Sequence, residues 1–194
     1  PPTEQPVIHT VSTLLRTRRF WALELSMIAI VLSLFTVTLA AIPLFVEKGM
    51  TYELAAVALG LIGAGQVVGR LLFVALPRST APWVQVAIVA SLAALLVGAL
   101  ALVPGPIWLV ILVGILAGAV RGAYTLIQAS AVADRWGTRN YGVINGAFAA
   151  PITIVVALTP AMGALVATGV GSYSLMALVM AGVALIAAGI ARAA

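Results

Sequence analysis

Apolar residues fill this chain in six long runs, and short polar or turn-forming clusters separate them. The runs lie at 20–46, 54–76, 83–103, 107–133, 142–168 and 173–191. A helix crossing a ~30 Å hydrocarbon core needs ~20 residues, so each run is long enough to span a bilayer. The breaks are Glu47 to Thr51, Pro77 to Pro82, Pro104-Gly105-Pro106, Asp134 to Asn140, and Gly169 to Ser172, all rich in charge or turn formers. Residues 1–19 read differently. A proline-rich polar leader runs into a basic collar of Arg16, Arg18 and Arg19, the composition of a cytoplasmic linker. The pattern predicts an all-α integral membrane protein with six transmembrane helices.

Polar side chains inside the runs are few and unevenly placed. In the fourth run, Arg121, Tyr124, Thr125 and Gln128 fall on one helical face, and Gly114, Ala117 and Gly118 continue it. Lipid cannot satisfy such a face, so it must meet protein or a watery cavity. In the second run, Gly65 and Gly69 form a small-xxx-small pair that admits another helix closely. Gln66 and Arg70 share a face there with Gly63. The fifth run is expected to be broken by Pro151 and Pro160, with Asn145, Ile152, Val156, Thr159 and Gly163 along one side. Glu24 sits about one turn inside the first run, near the interfacial Trp21. The third run carries only Gln85 and Ser91, and the sixth has nothing polar between Ser174 and Arg192. Polarity therefore repeats as polar, polar, apolar, twice. This predicts two three-helix repeats, with spans one, two, four and five sharing a surface while three and six face outward.

Composition sharpens the class. Of 194 residues, 63% are hydrophobic and 8% charged; mean hydropathy is +1.21. A soluble domain carries about 25% charged residues, so a large soluble core is excluded. There is no cysteine, and the one histidine, His9, lies in the leader. Thiolate chemistry and a Ser/His dyad within the membrane are thus excluded, no paired aspartates exist, and an enzyme is not expected. No cofactor or metal is expected. The chain begins Pro1-Pro2, which reads as a piece of a longer protein.

The net charge of +5 would suggest nucleic acid until the basic residues are placed. Six spans put both termini on one side. Seven of the ten basic residues (Arg16, Arg18, Arg19, Arg78, Arg135, Arg139 and Arg192) fall there; Lys48 alone falls opposite, and Arg70 and Arg121 lie within spans. The positive-inside rule makes that side cytoplasmic, so the expected setting is a multi-pass protein of the cell membrane, with no nucleic-acid partner.

With these residues in hand, the chain resembles the carboxy-terminal half of a major facilitator superfamily transporter. The leader running into Phe20-Trp21 is similar to the family's central linker. Gly69-Arg70-Leu71-Leu72-Phe73-Val74-Ala75-Leu76-Pro77-Arg78 resembles its G-R-x-x-x-G-x-x-x-D-R stretch. Arg121-Gly122, with Asp134, Arg135 and Arg139 in the hairpin that ends at Tyr141-Gly142, resembles its tenth helix and following cytoplasmic loop. Val74 and Pro77 depart from the motif, which degrades the family's charge latch in that loop. Arg70 sits where monocarboxylate-type porters carry a substrate-binding arginine, though their acidic partner is Gln66 here.

The resemblance implies half of a twelve-helix fold built from two inverted three-helix repeats. It implies secondary active transport of a small organic solute by alternating access. The partners it implies are the lipid bilayer, an amino-terminal six-helix half, a small-molecule substrate and, as an open alternative, a coupling proton. Gln66, Arg70, Arg121, Tyr124, Gln128 and Asn145 are the expected solute contacts, with Arg121 as the anion or carbonyl anchor. The bland alternative is that Arg121 ties helices together. By 1.5 Å per residue, Glu24 and Arg70 lie roughly 6 and 9 Å from the cytoplasmic ends of their spans and Arg121 roughly 21 Å from the outer start of its own, which in a ~30 Å core is similar depth. Glu24 is therefore expected to pair with at least one of the two arginines, Arg121 preferred. The competing functional reading is a non-transporting assembly subunit or a self-dimerising half-transporter.

Overall fold

The computed structural model describes residues 11–75 and 80–193; residues 1–10 and the Pro77-Arg78 hairpin lie outside them. The described chain is helical throughout. It runs α1 (Val11–Leu14), α2 (Arg18–Leu39), α3 (Ala41–Glu47), α4 (Tyr52–Ala75), α5 (Pro82–Leu102), α6 (Ile107–Trp136), α7 (Tyr141–Val170) and α8 (Tyr173–Ile190), closed by a 3₁₀ turn, Ala191–Ala193. Six of these helices are long and apolar enough to cross a membrane. The protein is a multi-pass, all-α membrane protein.

Local chemistry explains the boundaries. Thr17 starts α2: its hydroxyl oxygen accepts from the Phe20 amide and its hydroxyl donates to the Leu14 carbonyl. The first apolar run is not one span, as its length suggests, but α2 followed by the short α3. The cause is Pro43. Its missing N–H cannot bond the Leu39 carbonyl and its ring crowds that carbonyl, so the helix stops there and restarts. Pro151 and Pro160 act otherwise, and α7 continues through both. At the second, the carbonyl that the proline leaves free is that of Val156, and the Thr159 hydroxyl donates to it at 2.7 Å. Serine and threonine commonly repair such gaps in membrane helices. Ser172 opens α8, accepting from the Leu175 amide, and Gly171 ends α7 in a left-handed conformation (φ 77°).

The helices pack as a row with two members behind it. α4 lies on α6, α6 touches α2, and α2 lies on α7; α5 and α8 pack against each other and cover the backs of α6 and α2. The α5–α8 seam is built from small residues, among them Ala90, Ala93, Ala94, Ala177, Ala181 and Ala184, all buried. The α4–α6 contact is tighter still. A Cβ on Gly65 or Gly69 would fall on the backbone oxygen of Ile115 or Ala119, and one on Gly118 or Gly122 on that of Ile62 or Gln66. The two helices, parallel by this pairing, interlock backbone to backbone through glycines on both. This is the close approach that Gly65 and Gly69 suggest in the sequence.

The row's outer members are the barest. Within their most apolar windows, 22% of α4 and 17% of α7 residues are buried, against 39% for α5 and for α8. The third and sixth helices also carry exposed outer faces, at Leu95 and Ile186 among others. They are held by each other, whereas the second and fifth each have one main neighbour.

Candidate functional site

The glycine interlock sets the register between α4 and α6, and so decides which polar residues meet. It brings Gln66, Arg70, Gly122 and Thr125 together. The Arg70 Nε–H donates to Thr125 Oγ1 at 3.3 Å, and that hydroxyl donates to the Gly122 carbonyl at 2.7 Å. Arg121 lies one helical turn before Thr125 on α6. Its guanidinium carbon stands 3.8 Å from the centre of the Phe35 ring on α2. Among the described residues Arg121 makes no hydrogen bond, and its Nε is buried without an acceptor. Arg70 is exposed, while Arg121, Gln66 and Gln128 are half-buried.

Two expected contacts lie elsewhere. Tyr124 is fully buried, and its hydroxyl donates to the Met27 carbonyl of α2 at 3.1 Å. In this conformation it joins α6 to α2 and offers nothing to a solute. Asn145 is half-buried on α7, a helix that packs on α2 at the far end of the row. Of the hairpin residues, Asp134 and Arg139 are exposed, and Arg135 donates to the Ala131 carbonyl at the end of α6.

The expected pairing of Glu24 with Arg121 does not occur. Glu24 is 1% exposed, and neither of its oxygens has a partner among the described residues. The reason is directional. A helical side chain leans toward its own helix's N-terminus. α2 and α6 are antiparallel, since Arg121 meets Phe35 while Tyr124, further along α6, meets Met27. The two side chains therefore lean apart. Phe35 is eleven residues past Glu24 on α2, roughly 16 Å at 1.5 Å per residue.

Sequence reasoning also missed Phe35 and the Glu47-Lys48 pair. Phe35 is one apolar letter among many in its run. Glu47 and Lys48 read as a turn, yet they anchor three helices at the opposite end of the bundle. Glu47 accepts from the Ser172 hydroxyl (2.7 Å) and from the amides of Tyr173 (2.6 Å) and Ser174 (3.1 Å), at the start of α8. Lys48 Nζ donates to the Ala101 and Val103 carbonyls at the end of α5, at 3.2 and 2.7 Å. Acid thus meets a positive helix end and base a negative one. Partial burial pushes the Glu47 carboxyl up, but the hydrogen bonds from Ser172, Ser174 and Tyr173 prevail and hold it at about 2. Burial pulls the Lys48 ammonium down, and the neighbouring Glu47 charge partly opposes this.

No protein-family model matches the chain, and a search of curated proteins returned no significant match.

Proposed function

We propose that this chain serves secondary active transport of a small organic solute by alternating access, and that it supplies one half of a central cavity. The observation that carries this reading is the row α4–α6–α2–α7. Every ionisable or amide side chain of mid-span depth sits on these helices, while α5 and α8, packed behind, present only apolar and small residues at that depth. The packing supports a three-plus-three repeat: α4 lies on α6 as α7 lies on α2, α6 lies on α5 as α2 lies on α8, and α5 meets α8. That arrangement matches the plan of major facilitator transporters, which the motifs around Arg70 and the Asp134 hairpin resemble. In this reading a second six-helix half covers the bare faces of α4 and α7, and the seven arginines set a cytoplasmic side for both termini in the cell membrane.

Labelling and transport test it together. Cysteines replacing Gln66, Gln128 or Asn145 should react with a water-soluble thiol reagent. Cysteines at Leu95 or Ile186, which are 66% and 63% exposed on the outer faces of α5 and α8, should stay silent in lipid. The protein in proteoliposomes should then show counterflow of a labelled solute. Equal labelling of both sets refutes the arrangement; correct labelling without counterflow of any solute leaves an assembly role instead.

A further inference from the structure

From Phe20 to Met27 every residue of α2 is buried except Trp21 and Leu25, which are 47% and 49% exposed. With Arg18 they stand at i, i+3 and i+7, one stripe along one face of the helix. The neighbours of the stripe show what flanks it. Phe20, one position before Trp21, puts its ring 6.1 Å from that of Phe148 on α7. Ser26, one position after Leu25, donates its hydroxyl to the Ala187 carbonyl of α8 at 3.4 Å. A short turn, Gly171-Ser172, joins α7 to α8 at the opposite end of the bundle and holds them close there. At this end α2 keeps them apart. The stripe is thus the floor of a cleft between α7 and α8, open to the leaflet on the arginine side.

The mouth of the cleft is basic. Arg16, Arg18 and Arg19 are exposed at the start of α2, whose first turn holds no acid. α8 runs antiparallel to α2, and Ala187 stands opposite Ser26. Arg192, five residues beyond Ala187, therefore reaches the level of Trp21, and the 3₁₀ turn that carries it packs on α2. Among the described residues the acids at this end are Glu24, which is enclosed, and Asp134, in the last turn of α6. Trp21 is fixed between mouth and floor. Its indole N–H donates to the Leu15 carbonyl at 2.8 Å, and its ring meets the Phe20 ring edge-on at 5.8 Å.

We infer that this cleft is a site for an anionic phospholipid. The phosphate lies among Arg18, Arg19 and Arg192, Trp21 stands at the level of the glycerol, and an acyl chain runs along Leu25 between α7 and α8. Mouth and floor call for that occupant together. A soluble anion makes no use of the apolar floor, and a zwitterionic lipid leaves the charge of the arginines unbalanced, whereas basic groups at a membrane surface draw anionic headgroups to them. Tryptophan favours the headgroup level, which is where the indole is held here. The site stands whether or not the chain transports a solute.

Protein purified in a neutral detergent is melted with phosphatidylglycerol or phosphatidylcholine added to the micelles, or with glycerol 3-phosphate, a soluble headgroup fragment. Phosphatidylglycerol should raise the melting temperature saturably, and the other two should not. Arg18→Gln and Arg192→Gln, both at exposed positions, should each weaken phosphatidylglycerol roughly fivefold and together roughly 30-fold, the scale of one arginine apiece at an anionic surface. Trp21→Leu should weaken it less. Arg70→Gln, exposed on α4 at the other end of the row, should leave it unchanged. Native mass spectrometry, after incubation in nanodiscs holding the two lipids in equal parts, gives a reading that needs no melting. Wild type should retain phosphatidylglycerol, and the double variant should lose it. Absence of any saturable effect, equal effects of the two lipids, or stabilisation by glycerol 3-phosphate as strong as by the lipid overturns the site. So does a phosphatidylglycerol effect that Arg18→Gln and Arg192→Gln leave intact, or one that Arg70→Gln weakens as much, since the charge would then act from the whole surface.

Discussion

Two regions of the molecule hold charge, and they treat it in opposite ways. At the end where α3, α5 and α8 meet, Glu47 and Lys48 are saturated: each hydrogen-bond partner is a helix terminus of the complementary sign. Within the bundle, Glu24 has no partner, Arg121 has only an aromatic face, and Arg70 has one hydroxyl. The first arrangement stabilises this fold and needs nothing more. The second leaves both Glu24 oxygens and the Arg121 Nε without a hydrogen-bond partner among the described residues. In a membrane interior, where insertion of an arginine at mid-helix costs about 2.5–3.5 kcal/mol, unsatisfied charge is retained for use. Saturation, more than burial or depth, separates these two groups of charge.

The comparison breaks first at its foundation. Gly69→Val places a branched side chain on the Ala119 backbone oxygen, where neither helix can yield. We expect about 3 kcal/mol of destabilisation or more, at the upper end for overpacking, seen as loss of folded protein on size-exclusion chromatography. The same change at Gly60, which faces open space, should be tolerated. Equal behaviour of the two variants would mean that the interlock does not position the arginines.

Glu24 gives the next largest effect. Glu24→Met removes a buried carboxyl with unpartnered oxygens and should stabilise the protein by about 1–3 kcal/mol, the desolvation cost of such a group. A stabilised variant with impaired transport would place Glu24 among the functional charges. A destabilised one would show a partner outside the described residues.

The Glu47 anchor should give a smaller loss, of stability alone. Glu47→Gln is expected to lower stability by about 1–2 kcal/mol, comparable to losing a helix cap. Its pH dependence carries a sign. The folded carboxyl, at about 2, lies below its ordinary 4.5. Its stabilisation is thus complete above pH 4.5 and is lost as pH falls toward 2. Melting temperatures of wild type and Glu47→Gln should differ by a constant amount between pH 5 and 8, and converge in acid. A difference that changes across neutral pH would assign the anchoring to another group.

Much of this protein follows from the letters alone, because the bilayer is a severe solvent. Runs of about 20 apolar residues admit only helices there, so the number of spans and the all-α class are legible without coordinates. Helix periodicity likewise assigns faces: the small faces of Gly65-Gly69 and Gly114-Gly118 meet as their spacing suggests. Packing against other helices is not periodic in one sequence, and the tertiary structure alone decided it. It put Tyr124 in the core, because α2 offers the Met27 carbonyl there. It turned Arg121 onto Phe35 and away from Glu24, because antiparallel helices lean their side chains apart. It made Glu47 and Lys48 anchors, because helix ends distant in sequence converge on that turn. Local patterns choose elements and faces; which polar groups find partners depends on the direction, register and neighbours that only the assembled bundle supplies.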